Sequence, residues 1–158
     1  MITVVQRVLE ARVTVEGETV GEIGHGLLLL IGFARGDGPA DVEVSVRKLV
    51  ALRMFEGKTP MDLTVTDVKG SVLAVSQFTL VGRLYKGNRP SFDAAEAPER
   101  ANALYEMMIG QLRAAGLPVQ TGRFGADMKV SLTNDGPVTF IVEASGGALV
   151  KRETTPLS

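Results

Sequence analysis

Three short stretches hold the residue types able to do chemistry. In Ser71-Val72-Leu73-Ala74-Val75-Ser76-Gln77-Phe78-Thr79-Leu80 an unbroken apolar run, 72–75, gives way abruptly to hydroxyl and amide groups. A run without a polar face marks a strand buried on both sides. If the strand continues, Val75, Gln77 and Thr79 point one way and Ser76, Phe78 and Leu80 the other, since strand side chains alternate with period two. The hydroxyls then stand where a buried strand surfaces, bonded locally or open to a ligand. In Lys86-Gly87-Asn88-Arg89-Pro90-Ser91-Phe92 two cations and an aromatic ring share a stiffened loop, with Arg83 just upstream. Such a loop is either simply solvated or a small phosphate-backbone contact. In Asn134-Asp135-Gly136-Pro137-Val138-Thr139 the composition is that of a hairpin turn, and its Gly-Pro pair is a candidate cis peptide.

Absences narrow the chemistry. His25 is the one histidine and lies between glycines, so a catalytic triad or histidine metal site would have to be built around a turn tip. Without cysteine there is no disulfide framework, thiolate zinc site or cysteine nucleophile, which fits a cytoplasmic protein. The glycines of 32–38 are followed by no Lys-Ser or Lys-Thr at phosphate-loop spacing, and the acidic residues show no short-range ligand pattern. Neither metal nor cofactor is expected. A net charge of −1 removes the broad basic footprint of a general nucleic-acid binder, so DNA is not an expected partner and any RNA contact must be local. The longest apolar run, 27–31, is far short of the ~20 residues that span a bilayer, and no basic-then-apolar leader opens the chain. A membrane role is not expected.

The elements that must position these stretches follow from periodicity. At 158 residues the chain suits one domain, burying roughly two-thirds of its unfolded surface. Residues 2–15 alternate loosely as a strand, 16–18 turn, 19–23 return, and 24–26 turn again into the apolar run 27–33, an opening antiparallel meander. A helix over about 40–53 carries Val42, Val46, Leu49 and Val50 on one stripe. Residues 56–69 read as a connecting loop with Gly57 and Pro60, with or without a short strand, and 81–97 as a second, rich in Gly, Pro and basic residues. Pro98 suits a first helical position, and Leu104, Tyr105, Met108, Ile109 and Leu112 make an apolar face ending at Gly116. Residues 119–121, 128–132 and 138–142 read as three more strands, the last two joined by the turn at 134–137. Antiparallel and mixed strands with two separate helices predict a layered α+β domain over 1–144. From Ser145 the apolar period dissolves, which predicts a disordered tail over 145–158.

The combination of Ser76-Gln77-Phe78-Thr79 with Asn134-Asp135-Gly136-Pro137-Val138-Thr139 resembles the D-aminoacyl-tRNA deacylase family of bacterial and eukaryotic type. The likeness extends over about 1–144 and takes in Val20-Gly21-Glu22-Ile23-Gly24, Leu52-Arg53-Met54-Phe55, Lys86 to Phe92, and Thr121-Gly122-Arg123-Phe124-Gly125-Ala126-Asp127-Met128. In this order and spacing the pieces are highly specific. Around 59–63 the family's Asn-x-Ser pattern is missing, and the tail exceeds the usual family length.

The resemblance implies a homodimer that hydrolyses the ester joining a D-amino acid to the terminal adenosine of a tRNA. It implies backbone amides of Gln77, Phe78 and Thr79 as the oxyanion hole, beside Ser76. Thr79 is either the nucleophile or, as we favour, the group that orients an attacking water helped by the substrate's own ribose hydroxyl. Phe78, Phe124 and Met128 would line the adenosine pocket, and Lys86 and Arg89 would contact the tRNA. Gly136 and Pro137 would form a cis gate, inserted from one subunit into the other's site, that leaves no room for an L side chain. A gate built on exclusion admits glycine, so mischarged glycyl-tRNA is an expected second substrate. The competing readings are a non-catalytic RNA-binding module of the same fold and a small-molecule acyl hydrolase.

Overall fold

The computed structural model describes residues 1–152. In chain order the elements are β1 (Ile2–Val15), β2 (Glu18–Ile23), β3 (Gly26–Gly32), α1 (Pro39–Ala51), β4 (Ser71–Ser76), a 3-10 helix (Phe78–Val81), α2 (Pro98–Ala114), β5 (Val119–Thr121), β6 (Lys129–Ser145) and β7 (Ala148–Leu149). They form one mixed sheet ordered β5-β4-β3-β1-β6-β7, with β2 paired to β1 off that path and both helices against one face. This is the predicted α+β class. The β3–β4 and β4–β5 pairs are parallel, which requires the crossovers that α1 and α2 supply.

The predicted meander needs correcting. β3 pairs with the first half of β1, Ile2 to Val8, and β2 with the second half, Ala11 to Val15, both antiparallel to it. β2 and β3 are thus two segments of one return arm, and 24–26 is an interruption rather than a reversal. Gly26 is needed for a different reason, because a Cβ there would collide with the backbone of Ser71 on β4.

Alternation in the central strands fills two cores. Leu27, Leu29 and Ile31 of β3 and Val72 and Ala74 of β4 face the helices, meeting Val42, Val46 and Leu49 of α1 and Leu104, Met108 and Leu112 of α2. Leu28, Leu73 and Val75 face the other way, into a smaller cluster with Val8, Ala11, Val13 and Ile23. That second cluster exists because the sheet curls. β2 comes over β5 so closely that a Cβ on Gly21 would collide with the Thr121 carbonyl. Each fully buried aliphatic side chain contributes about 1.5–3 kcal/mol, so both faces of β3 and β4 hold this curl.

Instead of the two predicted strands joined by a turn, β6 runs as one antiparallel partner along nearly all of β1, from Lys129 opposite Thr14 to Glu143 opposite Ile2. Between the pairs Val8–Asn134 and Gln6–Thr139 the register slips: one residue of β1, Arg7, lies opposite four of β6, 135–138. The residues between are looped out of the ladder as a bulge.

The tail is corrected in part. Ala144 and Ser145 pair with Leu149 and Ala148 around Gly146 and Gly147, whose φ values of 62° and 79° suit a tight turn that only glycine enters freely. Asp41, at the start of α1, accepts the Gly38 N–H at 3.0 Å through one carboxylate oxygen and the Gly147 N–H at 2.8 Å through the other. The ordered hairpin therefore extends past 144, while 153–158 of the predicted tail lie outside the described residues. No helix among the described residues is long and apolar enough to cross a membrane.

Candidate active site

The strand 71–76 does not continue as an alternating strand. β4 ends at Ser76, opposite Ile31, and the Gln77 N–H closes the sheet by donating to the Ile31 carbonyl at 2.7 Å. The backbone then turns into the 3-10 helix, with the Leu80 N–H on the Gln77 carbonyl at 3.2 Å and the Gly82 N–H on the Thr79 carbonyl at 3.0 Å. This turn is packed tightly on the end of β3: a Cβ at Gly32 would lie 2.8 Å from the Gln77 carbonyl oxygen. The amide expected from Gln77 is thus already spent. The N–H groups of Phe78 and Thr79 have no acceptor among the described residues. The Gln77 side-chain amide donates to the Thr79 hydroxyl, and Thr79 is exposed.

Beside this turn lies a cavity of about 940 Å³, within the range of pockets that hold small ligands. Ser76, Gln77 and Phe78 form the wall where β4 leaves the sheet, Ile31 and Val75 the floor, and Phe124 and Met128 the side contributed by the β5–β6 connection. Phe78 stands edge-on to Phe92 at 5.1 Å between ring centres, and both rings line the cavity while keeping an exposed face. Thr79 itself is not in the wall.

Phe124 is held from behind. Its ring lies 5.9 Å from that of Tyr105 on α2, and the buried Tyr105 hydroxyl donates to the Ala74 carbonyl at 2.7 Å. The same carbonyl accepts the Gly122 N–H at 3.2 Å, which roots the loop carrying Phe124. Burial, with a smaller push from the Glu106 charge, raises the Tyr105 phenol well above the ordinary tyrosine value. Gly122 leaves space for Met128, whose sulfur would lie 2.6 Å from a Cβ there. Met128 both lines the cavity and packs on the inner cluster.

The ionisable groups of the cavity wall are Arg35, Glu96 and Asp127. Glu96 is paired with Arg100 at 3.2 Å and Asp127 with Lys129 at 3.1 Å. His25 is at the far end of β4, where its carbonyl accepts the Ser71 N–H and its ring stacks edge-on to Phe55 at 5.1 Å. Among the described residues no group of three or more His, Cys, Asp or Glu is placed to hold a metal. Beside the cavity the unspent backbone donors are the N–H groups of Phe78 and Thr79.

Lys86 and Arg89 are exposed on the 84–90 loop, rooted at the reciprocal Arg83–Ser91 bonds of 2.8 and 2.9 Å, and neither is part of the cavity wall. Gly136 and Pro137 are exposed in the β6 bulge and joined by a cis peptide. Asn134 brackets the bulge, accepting the Val138 N–H at 2.7 Å and donating to the Thr139 hydroxyl at 2.9 Å. Arg7 ties it down. The Arg7 Nε donates to the Asp135 carbonyl at 2.9 Å and its Nη1 to the Met54 carbonyl at 2.8 Å, with the side chain 12% exposed. Sequence reading missed Arg7 and Tyr105, since a lone arginine in a strand and a tyrosine on an apolar helix face give no signal. The bulge lies at the rung where Arg7 pairs with Leu27, and the cavity at the rung where Thr3 pairs with Ile31. Four residues of strand, about 13 Å, separate them.

A model of the D-Tyr-tRNA(Tyr) deacylase family matches residues 4–143. The chain belongs to the D-Tyr-tRNA(Tyr) deacylase family. A D-aminoacyl-tRNA deacylase of Geobacter sp. (strain M21) is 56% identical over 146 residues, covering 90% of this chain and 97% of that protein. One of Anaeromyxobacter dehalogenans (strain 2CP-C) is 54% identical over 145 residues, covering 91% and 97%. A solved structure described as the c-Myc DNA Unwinding Element Binding Protein superposes with a TM-score of 0.86 at 40% identity, covering 92% of this chain and all of that one. The fold is shared with a probable eukaryotic D-amino acid tRNA deacylase, at a TM-score of 0.74 and 20% identity. The strand exit at 76–79, the β6 bulge and Arg7 all fall within the span matched to the deacylase family, whereas the Gly146–Gly147 turn lies beyond it.

Proposed function

We propose that this chain is a homodimeric D-aminoacyl-tRNA deacylase that frees a D-amino acid from the 3′-terminal adenosine of tRNA. The observation that carries the reading is a partly aromatic cavity, large enough to admit an aminoacyl-nucleoside, beside two unspent backbone N–H groups in a chain of this family. Water attacks the ester carbonyl, the developing oxyanion takes the Phe78 and Thr79 N–H groups, and collapse expels the ribose oxygen. The neighbouring ribose hydroxyl relays the water's proton to that leaving oxygen, a role supported by the absence of histidine from the wall and by the pairing of Glu96 with Arg100. One such donor can be worth ~3 kcal/mol in the transition state. The Gln77 amide, bonded to Ile31, keeps the turn in place, and the Gln77 side chain holds the Thr79 hydroxyl at the rim of the site.

Chirality falls to Gly136 and Pro137. Their backbone lies outside the sheet ladder in an exposed bulge fixed by Arg7 and Asn134, so it can be presented to another molecule. The separation of about 13 Å from the cavity in one chain supports insertion into a partner's site. There it holds the amino group and blocks an L side chain. Glycine has no side chain to block, so glycyl-tRNA should be cleaved at an enzyme concentration that fully deacylates D-tyrosyl-tRNA. Survival of glycyl-tRNA under those conditions would remove side-chain exclusion as the basis of selection.

A second reading, DNA binding, is favoured by the description of the 40% identical relative. Duplex DNA that displaces tRNA from the protein at equal nucleotide concentration would support it; the net charge of −1 speaks against it.

A further inference from the structure

The reaction at the ester leaves unused the most conspicuous surface near it. Among the exposed large hydrophobic residues, Tyr85 stands out at 91% exposed, with Leu84 at 71%. Both sit on the 84–90 loop, whose roots, the Arg83–Ser91 rung, adjoin Phe92 in the cavity wall. Residues 82–92 contain Arg83, Lys86 and Arg89 and no acidic residue, in a chain whose net charge is −1. None of the three cations is in an ion pair among the described residues. The bonds across Arg83–Ser91 and the left-handed Gly87, with φ at 65°, give the loop a defined turn.

From cavity to tip, then, the surface runs from two rings, Phe78 and Phe92, to a third ring flanked by cations. Successive rings accept bases and flanking cations accept phosphates, which is how proteins follow a single strand of nucleic acid. An apolar surface meant for a protein partner is depleted of lysine, whereas this one interleaves an aromatic with lysine and arginine.

Resting on the deacylase reading, we infer that Tyr85 is a stacking platform for the unpaired nucleotides just 5′ of the terminal adenosine, with Lys86 and Arg89 on their phosphates. The loop spans at most about 13 Å from rung to tip, enough for a few stacked nucleotides. The contact reads the presence of a single strand rather than its sequence, because every base has a face to stack.

The test compares Tyr85→Ala and Tyr85→Phe with the unaltered chain. Binding of a fluorescent, non-aminoacylated single-stranded RNA ending in CCA is read by anisotropy, and kcat/KM is measured on D-tyrosyl-tRNA and on D-tyrosyl-adenosine. Removing the ring is expected to weaken oligonucleotide binding about 5- to 150-fold. It should lower the ratio of kcat/KM on tRNA to that on D-tyrosyl-adenosine by a similar factor, through KM, and Tyr85→Phe should restore both. Unchanged oligonucleotide affinity in Tyr85→Ala would overturn the inference. So would an equal loss on the two esters, or a change in sedimentation marking Tyr85 as a subunit contact. Should the unaltered chain cleave neither ester, the deacylase reading falls, and the oligonucleotide arm still decides the RNA contact by itself.

Discussion

Thr79 has a hydroxyl in the right neighbourhood but little to make it a nucleophile. It is exposed, absent from the cavity wall, and takes a hydrogen bond from Gln77 rather than giving its proton to a base. An alcohol without a base is a weak nucleophile, which is why the proposed mechanism gives the proton relay to the substrate's ribose hydroxyl. Thr79→Ala should keep kcat within about tenfold, whereas a D-aminoacyl-tRNA ending in 2′-deoxyadenosine should lose about 10²–10⁴. Single-turnover rates on the two substrates decide this; collapse of Thr79→Ala with an unaffected deoxy substrate would return Thr79 to the nucleophile's role. Arg7 shows the opposite case, a residue without a motif that fixes the bulge by bonding two carbonyls from separate elements.

The buried strand exit at 71–76 could be read from sequence because an apolar run has one simple explanation, and α2 because Pro98 and its stripe agree with each other. The bulge could not. Asn-Asp-Gly-Pro satisfies the chemistry of a reversal and of a bulge alike, and only the pairing of β6 with β1 on both sides of it distinguishes them. Likewise Gly26 marks a close approach to β4, which no local pattern encodes, and the unspent amides of the 3-10 turn depend on Gln77 being claimed by β3. Tyr105 ties α2 to β4 and the Phe124 loop, and its phenol is raised above its ordinary value. The sign follows: below about pH 10 the phenol is neutral in both states, and above it only the unfolded chain ionises freely, so the contribution to stability falls as pH rises. Urea unfolding from about pH 8 to about pH 11 should therefore cost the unaltered chain more than Tyr105→Phe, which itself loses about 1 kcal/mol at the lower pH. Parallel losses would show that the buried phenol is not what titrates.

At the scale of the molecule, cavity and bulge sit on different rungs of one sheet, and the proposed reaction needs them together. Two disabled chains can test whether a second copy joins them. Gly136→Ala puts a Cβ 2.7 Å from the Val138 side chain and 3.2 Å from Arg7, at a φ of 138°, and so displaces the bulge; Ala126→Trp fills the cavity. Unfolded and refolded together, they should recover a deacylation rate that neither shows alone, since a hybrid has one intact cavity facing one intact bulge. No recovery in a demonstrated hybrid would place both parts of the site in the same chain. Beneath this stands the central claim, ester hydrolysis that reads chirality with donors and backbone alone. The most direct measurement is single-turnover deacylation of matched D- and L-tyrosyl-tRNA with a chelator present. Rapid loss of the D ester with the L ester intact is the expected result; stability of both, or equal loss of both, would contradict it.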